Sequence, residues 1–254
     1  MKAKEFVELW EKKLGLQHEE GWYKEDTKNR YSILLEQVPR DPDLKILDVG
    51  AGKGYLSLFL KKWCRCEVHA LDLRSYDEWE VLKKEGIRVE ECDVERERFP
   101  FENETFDCVV CSEVLEHLLH SPSHMLSEIR RVLRRGGVLV LSTPNAVRLE
   151  VRLKVLLGKE LCHYRSFYAS PPSDRHNKEY TLSEVRELLS EHGFRVERIF
   201  CRNTTSWRAI RSSPSRRLLV GLLLAATHLW PTFKELIFVK ARKRTWSRRG
   251  EGVC

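Results

Sequence analysis

Four residues between two apolar segments have the spacing of a ligand-binding loop. In KILDVGAGKGYL, Asp48 ends a strand-like run, and alternate positions after it hold Gly50, Gly52 and Gly54. Glycine lets the backbone approach a ligand closely, because no Cβ intervenes. A phosphate-binding P-loop needs Ser or Thr after its lysine, whereas Lys53 is followed by glycine. The dinucleotide pattern G-x-G-x-x-G also fits poorly, because the third glycine comes one position early.

The acids around this loop indicate which kind of ligand it holds. A carboxylate at Asp48 repels a pyrophosphate but suits an ammonium group, which favours an amino-acid-like cofactor over a dinucleotide. A second strand-like run, CEVHALDL, ends in Asp72, 22 positions after Gly50. An acid at that distance, at the end of the second strand, can accept hydrogen bonds from two ribose hydroxyls. A third run, IRVEECDV, ends near Asp93.

Alternating strand-like and helix-like segments must position these acids. The apolar patterns predict strands near 44–49, 66–72, 87–92, 107–112, 137–143, 195–201 and 235–241. They predict helices near 3–14, 26–38, 54–63, 76–85, 122–134, 181–192 and 216–229. This alternation is typical of an α/β, doubly wound, seven-stranded and mostly parallel sheet with helices on both faces. Such open sheets bind ligands at the carboxyl ends of their strands, where all three acids fall.

Three local signals refine this picture. Thr181 and Glu184 have the spacing of a capping box at the start of a helix. Gly136 is placed to end helix 122–134. The segment VRLEVRLKVLLG fits either a strand or a helix, and its Leu, Arg, Lys and Glu content favours a helix. It lies within residues 144–180, which are too many for a bare connection and predict a lid over a pocket.

The ordered motifs resemble those of one enzyme family. ILDVGAGKG, ALDL, ECDV, FDCVVCSEVLEHL and EIRRVLRRGGVLVLSTPN occur in the order and spacing of class I S-adenosylmethionine-dependent methyltransferases. The resemblance covers roughly residues 40–145. Within this family, the chain is similar to the small-molecule branch that includes quinone-biosynthesis enzymes (methyltransferase type 11). It implies a Rossmann-like methyltransferase fold and S-adenosyl-L-methionine as cofactor. HNKEYTLSEVRELLSEHGF resembles the substrate-side segment of that branch.

The resemblance also assigns a role to individual residues. Asp48 would bind the ammonium of the cofactor, Asp72 its ribose, and Asp93 its exocyclic adenine amine. The complete set of expected cofactor-binding residues is Asp48, Gly50, Ala51, Gly52, Gly54, Asp72, Leu73, Asp93, Val94 and Ser112.

The acceptor side is less strongly marked. His117 follows the fourth strand, and an imidazole is suited to act as general base for a hydroxyl acceptor, so His117 is the candidate catalytic residue. Four polar aromatic residues on or at the end of the lid are candidates for a substrate wall: His163, Tyr164, His176 and Tyr180. The eight cysteines lack zinc-finger spacing, and no metal is expected.

The positive charge is concentrated at the C-terminal end. The net charge is +7, but residues 202–254 hold twelve Lys or Arg against two Glu, so residues 1–201 carry −3. The apolar run Leu218–Trp230 lies in the same region and is too short to span a bilayer. Apolar surface beside clustered cations favours peripheral contact with an anionic membrane through 208–249. A core helix packed on the sheet is the alternative for the apolar run.

Taken together, these features predict a single methyltransferase domain over residues 1–243. It comprises N-terminal helices at 1–38, the insertion at 144–180, an apolar helical insertion at 203–232, and a disordered basic tail at 244–254. The charged N-terminus predicts no secretory signal, so a cytoplasmic location is expected, with contact at the inner membrane face. The expected reaction is methyl transfer to a small-molecule or lipid-linked acceptor, at oxygen.

Two other functions remain open at the level of sequence. The basic tail suits an RNA methyltransferase, although the core of charge −3 offers no broad phosphate-binding face. The loop and acids argue for cofactor binding rather than turnover, so a non-catalytic, cofactor-binding regulatory subunit is the second alternative. A thiol-rich metalloid methyltransferase lacks support, since no tight cysteine cluster is present.

Overall fold

One mixed sheet organises the chain in the computed structural model, which describes residues 2–14, 25–159, 171–204, 227 and 230–245. Its strands are β1 (Lys45–Val49), β2 (Glu67–Asp72), β3 (Arg88–Glu91), β4 (Phe106–Ser112), β5 (Leu133–Pro144), β6 (Phe194–Arg202) and β7 (Leu236–Lys243). They lie in the order β3-β2-β1-β4-β5-β7-β6. β7 is antiparallel to β5 and β6, whereas the pairs among β1 to β5 are parallel. The predicted seven-stranded, mostly parallel sheet is confirmed.

Helices cover both faces of this sheet. They are α1 (Ala3–Leu14), α2 (Glu25–Gln37), α3 (Tyr55–Cys64), α4 (Trp79–Lys84), α5 (Ser123–Val132), α6 (Leu149–Leu156) and α7 (Leu182–Glu191). Buried residues of α1 to α4 belong to one core cluster, and those of α5 and α7 to another. Alternate residues of β1 contribute to the two clusters, Ile46 to the first and Leu47 to the second, since strand side chains alternate between faces. The doubly wound arrangement is confirmed.

The local signals have different outcomes. Glu184 N donates to Thr181 Oγ1 (3.3 Å) and Thr181 N donates to Glu184 Oε2 (2.8 Å), so the capping box is confirmed. The ambiguous segment is helical in α6, as predicted. The prediction that Gly136 ends a helix at 134 was wrong. The helix ends at Val132, and the chain becomes extended at Leu133, which pairs with Phe106 of β4. The next residue pair between β4 and β5 is Cys108 with Val138. The residues between form a bulge, in which Gly136 has a φ of 70°.

Several predictions fall wholly or partly outside the described residues. These are the substrate-wall residues His163 and Tyr164, most of the helix at 216–229 and of the insertion at 203–232, and the tail beyond residue 245. The membrane contact through 208–249 stays a prediction for the same reason. Among the helices that the structure describes, none combines the length and apolar content that crossing a bilayer requires.

Candidate functional site

A cavity of about 640 Å³ lies at the carboxyl ends of β1, β2 and β4, where the fold predicts a ligand site. It is lined by nine of the ten predicted cofactor residues and by the candidate base: Asp48, Gly50, Ala51, Gly52, Asp72, Leu73, Asp93, Val94, Ser112 and His117. Thr27, Arg30 and Tyr31 of α2 cover one side. A second cavity, of about 600 Å³, lies beside Arg130 and His192 and contains none of the predicted site residues.

The glycine loop is held in place by hydrogen bonds from both ends. Gly50 N and Ala51 N donate to the carbonyl oxygen of Leu71 (2.9 and 3.1 Å). Gly52 N donates to Asp72 Oδ2 (2.8 Å), and the indole nitrogen of Trp79 donates to Gly52 O (2.8 Å). A Cβ built on Gly52 meets no protein atom within 4 Å. The loop is therefore a rigid rim with open space above Gly52, which fits a cofactor lying against its backbone.

Gly54, the tenth predicted cofactor residue, has a different role. It is buried outside the cavity lining, with a φ of 84° that only glycine adopts without strain. A Cβ there would lie 2.2 Å from Leu82 Cδ1, on α4. Gly54 therefore allows α3 to start close against α4, and it serves packing rather than ligand contact.

Replacing Gly54 by alanine tests this packing role. We expect Gly54→Ala to lower the free energy of unfolding by about 2 kcal/mol, from left-handed strain and overpacking against Leu82. Gly86→Ala is the matched control, because Gly86 has a φ of 70° and open space around it. That control should cost about 1 kcal/mol, from strain alone. Equal denaturant midpoints for the two variants would contradict a packing role for Gly54.

Asp48 is a buried carboxylate at the floor of the cavity. Only 1% of its surface is exposed, and Ser57 Oγ donates to its Oδ2 (2.6 Å). Burial, and to a smaller extent the Asp72 charge, raise the pKa of Asp48 to about 7. Ionising this group is unfavourable unless a cation lies beside it, so the floor of the cavity is suited to an ammonium group.

Asp72 combines an anchoring role with exposure to the cavity. Burial raises its pKa, while hydrogen bonds from the backbone N–H groups of Gly52, Arg74 and Leu73 act in the opposite direction. One carboxylate oxygen therefore fixes the glycine loop, and the side chain still lines the cavity beside the exposed Leu73. This position is suited to a ligand hydroxyl pair, as the sequence predicted.

Removal of the Asp72 carboxylate should weaken cofactor binding. We expect Asp72→Ala to reduce S-adenosylhomocysteine affinity by roughly 1–3 kcal/mol in calorimetry, from lost charge-assisted hydrogen bonds and a looser loop. The exposed Asp43, at a turn before β1, provides the control variant Asp43→Ala. Unchanged affinity in a folded Asp72→Ala variant would remove Asp72 from the binding site.

Asp93 closes the cavity at the end of β3. Its Oδ1 accepts a hydrogen bond from Glu95 N (2.9 Å), and its backbone N donates to Glu97 Oε2 (2.8 Å). These bonds fix the turn that carries Val94, a half-buried residue packed on the second core cluster. The carboxylate and the apolar side chain face the same cavity, an arrangement suited to a planar ring with an amine at its edge.

A polar chain at the end of β4 forms the opposite wall. Ser142 Oγ donates to Glu113 Oε1 (2.9 Å), so the hydroxyl of Ser112, 3.0 Å from that of Ser142, donates to it. Glu113 also pairs with Arg30 of α2 (3.3 Å). The sequence predicted Ser112 but missed Glu113 and Arg30 as lining residues. Glu113 could have been found, because it directly follows the strand, whereas nothing in the α2 sequence marks Arg30.

The structure brings together some of the acceptor-side residues and separates others. His117 lines the cavity, and its ring lies edge-on to that of His176, with centroids 5.0 Å apart. His176 is exposed and is not part of the cavity lining. Tyr180 is buried in the second core cluster and bridges to Asn145 through its backbone. Tyr180 therefore lies in the core and does not line the cavity.

Glu116, which the sequence did not single out as a site residue, lies behind His117. It is fully buried, and Thr143 Oγ1 donates to its Oε2 (3.0 Å). Burial and the nearby Glu113 charge raise the pKa of Glu116 well above its ordinary value. Burial and His176 lower the pKa of His117. The imidazole is therefore neutral near pH 7, with a lone pair available to accept a proton or bind an ion.

Comparison with known proteins identifies the family. A family model described as a methyltransferase domain matches residues 23–199. The chain belongs to the methyltransferase domain family. A Mycolicibacterium smegmatis protein named "Probable S-adenosylmethionine-dependent methyltransferase" is 30% identical over 72% of this chain and 63% of its own length. The malonyl-[acyl-carrier protein] O-methyltransferase of Paenibacillus is 28% identical over 63% of this chain and 58% of its own length.

Other relatives in the methyltransferase family act at nitrogen by name. The sarcosine/dimethylglycine N-methyltransferase of Halorhodospira halochloris is 29% identical over 68% of this chain and 64% of its own length. The chain thus spans about three-fifths of the length of these curated relatives. At the level of the family, the predicted recognition, enzyme class and cofactor, an S-adenosylmethionine-dependent methyltransferase, are confirmed.

Solved methyltransferase structures share the fold. An S-adenosylmethionine-dependent methyltransferase of Mesorhizobium loti has a TM-score of 0.59 at 18% identity, covering 85% of this chain and 98% of its own. The 1,6-didemethyltoxoflavin-N1-methyltransferase of Burkholderia thailandensis, with bound S-adenosylhomocysteine, has a TM-score of 0.57 at 17% identity, covering 96% and 87%. At these identities the likeness establishes the Rossmann-like fold alone.

Proposed function

We propose that this chain transfers a methyl group from S-adenosylmethionine to a small-molecule or lipid-linked acceptor, at oxygen. The observation that carries the proposal is that one cavity, the one of about 640 Å³, has two chemically different ends. The end that follows β1, β2 and β3 holds the glycine loop and three carboxylates. The end that follows β4 holds Glu113 and His117, and the predicted cofactor residue Ser112 is the last residue of that strand. Such a cavity can hold a cofactor and an acceptor side by side.

The carboxylates at the first end match the hydrogen-bond donor groups of the cofactor. Asp48, buried with a pKa raised to about 7, is suited to an ammonium group. Asp72 faces the space above Gly52, where it would hold the ribose hydroxyls. Asp93 and Val94 would hold the adenine by one polar and one apolar contact. Together these residues provide a separate contact for each part of the cofactor.

The chain contributes alignment and exclusion of water to the reaction. Bound S-adenosylmethionine would supply a methyl group on a sulfonium. An acceptor atom forms its new bond to that methyl carbon in line with the C–S bond, which breaks as the thioether S-adenosylhomocysteine leaves, so catalysis depends mainly on positioning. Arg30 and Tyr31 of α2 cover the cavity from one side, and Ser173 and Asp174 of the lid line it from another. The ion pair between Arg30 and Glu113 links α2 to the end of β4. These contacts orient an acceptor and keep bulk water from the reacting atoms.

Attack by oxygen is supported by the neutral imidazole at the acceptor end. A hydroxyl acceptor gains from a general base with a pKa near neutral, and His117 lines the cavity there. The relatives named above include both O- and N-methyltransferases, so the atom that is methylated must be measured.

The acceptor class can be tested directly. Extracts of the source organism, incubated with the protein and isotopically labelled S-adenosylmethionine, should yield new label in the small-molecule or lipid fraction, detected by mass spectrometry. Boiled protein is the control. Label in the RNA fraction instead would favour an RNA methyltransferase, and absence of transfer despite cofactor binding would favour a non-catalytic subunit. Either result would overturn the proposal.

A further inference from the structure

Three possible metal donors meet at the acceptor side of the cavity. One donor atom each from Glu116, His117 and His176 lie within 4.8 Å of one another, and Glu116 Oε1 is 3.9 Å from His117 Nε2. Ligands of a tetrahedral zinc ion with bonds of about 2.1 Å lie roughly 3.4 Å apart. The Glu116 and His117 donors are thus about 0.5 Å farther apart than in such a site, and no pair is more than about 1.4 Å too far apart.

Two of these donors have buried polar atoms that are otherwise unexplained. Glu116 has no exposed surface, and its Oε1 lacks a hydrogen-bond partner among the described residues, although Oε2 accepts from Thr143. His117 presents Nε2 to this oxygen at 3.9 Å, and its Nδ1 is buried without a hydrogen-bond partner in the part of the chain that the structure describes. Burying an unpaired carboxylate oxygen is unfavourable, and a bound cation would remove that cost.

The third donor is oriented by contacts typical of a metal ligand. His176 Nδ1 lies 3.1 Å from Glu179 Oε1, and Glu179 is paired in turn with Arg148. A carboxylate on one ring nitrogen fixes the tautomer and leaves the other nitrogen as a donor, as is usual for metal-bound histidine. The segment that carries His176 is also bonded to the 3₁₀ turn Leu115–His117, which follows β4. Asn177 N donates to Glu116 O (2.7 Å), and Asn177 Nδ2 donates to His117 O (2.8 Å).

From this arrangement we propose that Glu116, His117 and His176 bind a divalent first-row transition-metal ion beside the cavity, with His117 alone of the three lining the cavity itself. Two imidazoles and one carboxylate suit an ion of the zinc class, such as Zn²⁺ or Co²⁺, better than Mg²⁺, which prefers oxygen ligands. Three protein ligands leave at least one coordination position open. The sequence predicted no metal, and Glu116 and His176 are 60 positions apart, so no local pattern marks the cluster.

The site stands on geometry that is independent of the proposed methyl transfer. Through His117 it borders the acceptor end of the cavity, and it shares no residue with the cofactor end. Metal binding and S-adenosylhomocysteine binding can therefore be measured separately. Loss of cofactor binding with intact metal binding would remove the proposed function and leave the metal site in place.

Metal titration of the full chain tests the site. After treatment with a chelator and dialysis, the protein should bind one equivalent of Zn²⁺ in calorimetry, at micromolar or tighter affinity. Co²⁺ should bind at the same site and give visible absorption bands without the thiolate charge-transfer band of cysteine ligation. We expect His176→Ala and Glu116→Gln each to weaken Zn²⁺ binding at least tenfold.

One variant at an exposed ligand and one control variant keep this test decisive if the variant at the buried ligand fails to fold. His176 lies on an exposed segment, so His176→Ala should keep the melting temperature even where Glu116→Gln fails to fold. His192→Ala is the matched control, because its ring is hydrogen-bonded to Leu188 O and is not one of the three donors. Zn²⁺ affinity equal to wild type in His176→Ala, a thiolate band with Co²⁺, or no binding at about 100 μM metal would each overturn the proposal.

Discussion

Replacing Asp48 by asparagine should reduce S-adenosylhomocysteine affinity at least about 100-fold at pH 8, or about 2.8 kcal/mol. Asparagine keeps the shape of the side chain and removes its charge. The ligand ammonium would then lie in a buried pocket without its counter-ion, and breaking a buried ion pair in this way costs roughly 3–5 kcal/mol. Calorimetry on the wild-type and Asp48→Asn proteins measures the difference.

The same variant should change how binding and stability depend on pH. The pKa of Asp48 is raised from 3.8 to about 7 in the folded, ligand-free protein, so the folded state binds a proton more tightly than the unfolded state between those values. The free energy of unfolding of the ligand-free protein should therefore fall as pH rises from about 4 to 7. Affinity for the ammonium-bearing ligand should rise over the upper part of that window, as the carboxylate ionises. Asp48→Asn should remove both trends.

Ser57→Ala separates charge from hydrogen bonding at this position. It removes the hydrogen bond to Asp48 Oδ2 but leaves the carboxylate, so S-adenosylhomocysteine affinity should change by less than tenfold. If Asp48→Asn binds S-adenosylhomocysteine as tightly as the wild type at pH 8, the ammonium does not lie against Asp48, and this end of the cavity needs another ligand assignment.

The sequence predicted the elements well where periodicity and burial agree. β1 and β4 are buried on both faces, so their continuous apolar runs marked them clearly as central strands. The boundary at 132–137 was mispredicted because helix periodicity continues past Val132, whereas pairing with Phe106 draws Leu133 into the sheet. That pairing joins residues 27 positions apart, and no local sequence pattern indicates it.

The site was predictable to the extent that its residues follow strands. Asp72 and Ser112 end β2 and β4, Asp48 is the last residue but one of β1, and the fold brings those strand ends together. Gly54 shares the spacing of its neighbours, but its role depends on Leu82, a contact that the sequence does not reveal. The proximity of Glu116 to His176 is likewise not marked in the sequence, since it depends on the hydrogen bonds of Asn177 to the backbone of Glu116 and His117.

His117 is the position where the predicted base and the proposed metal site meet. We expect His117→Ala to reduce turnover about 100-fold with the acceptor found by labelling, because either role places the imidazole at the reacting end of the cavity. S-adenosylhomocysteine affinity should change by less than threefold, since the cofactor residues are untouched. Single-turnover rates and calorimetry measure the two effects, with His192→Ala as the control.

The two roles of His117 differ in what His176→Ala does. A nitrogen bound to a metal has no lone pair left to accept a proton, so His117 as a ligand would act through the metal. In that case His176→Ala should lose turnover together with Zn²⁺. A base role predicts that His117→Ala loses turnover while His176→Ala, in which the His117 ring remains, keeps most of it. A loss of turnover below threefold in a folded His117→Ala variant would exclude the base role. Unchanged Zn²⁺ affinity in the same variant would exclude the ligand role and leave His117 as a packing residue.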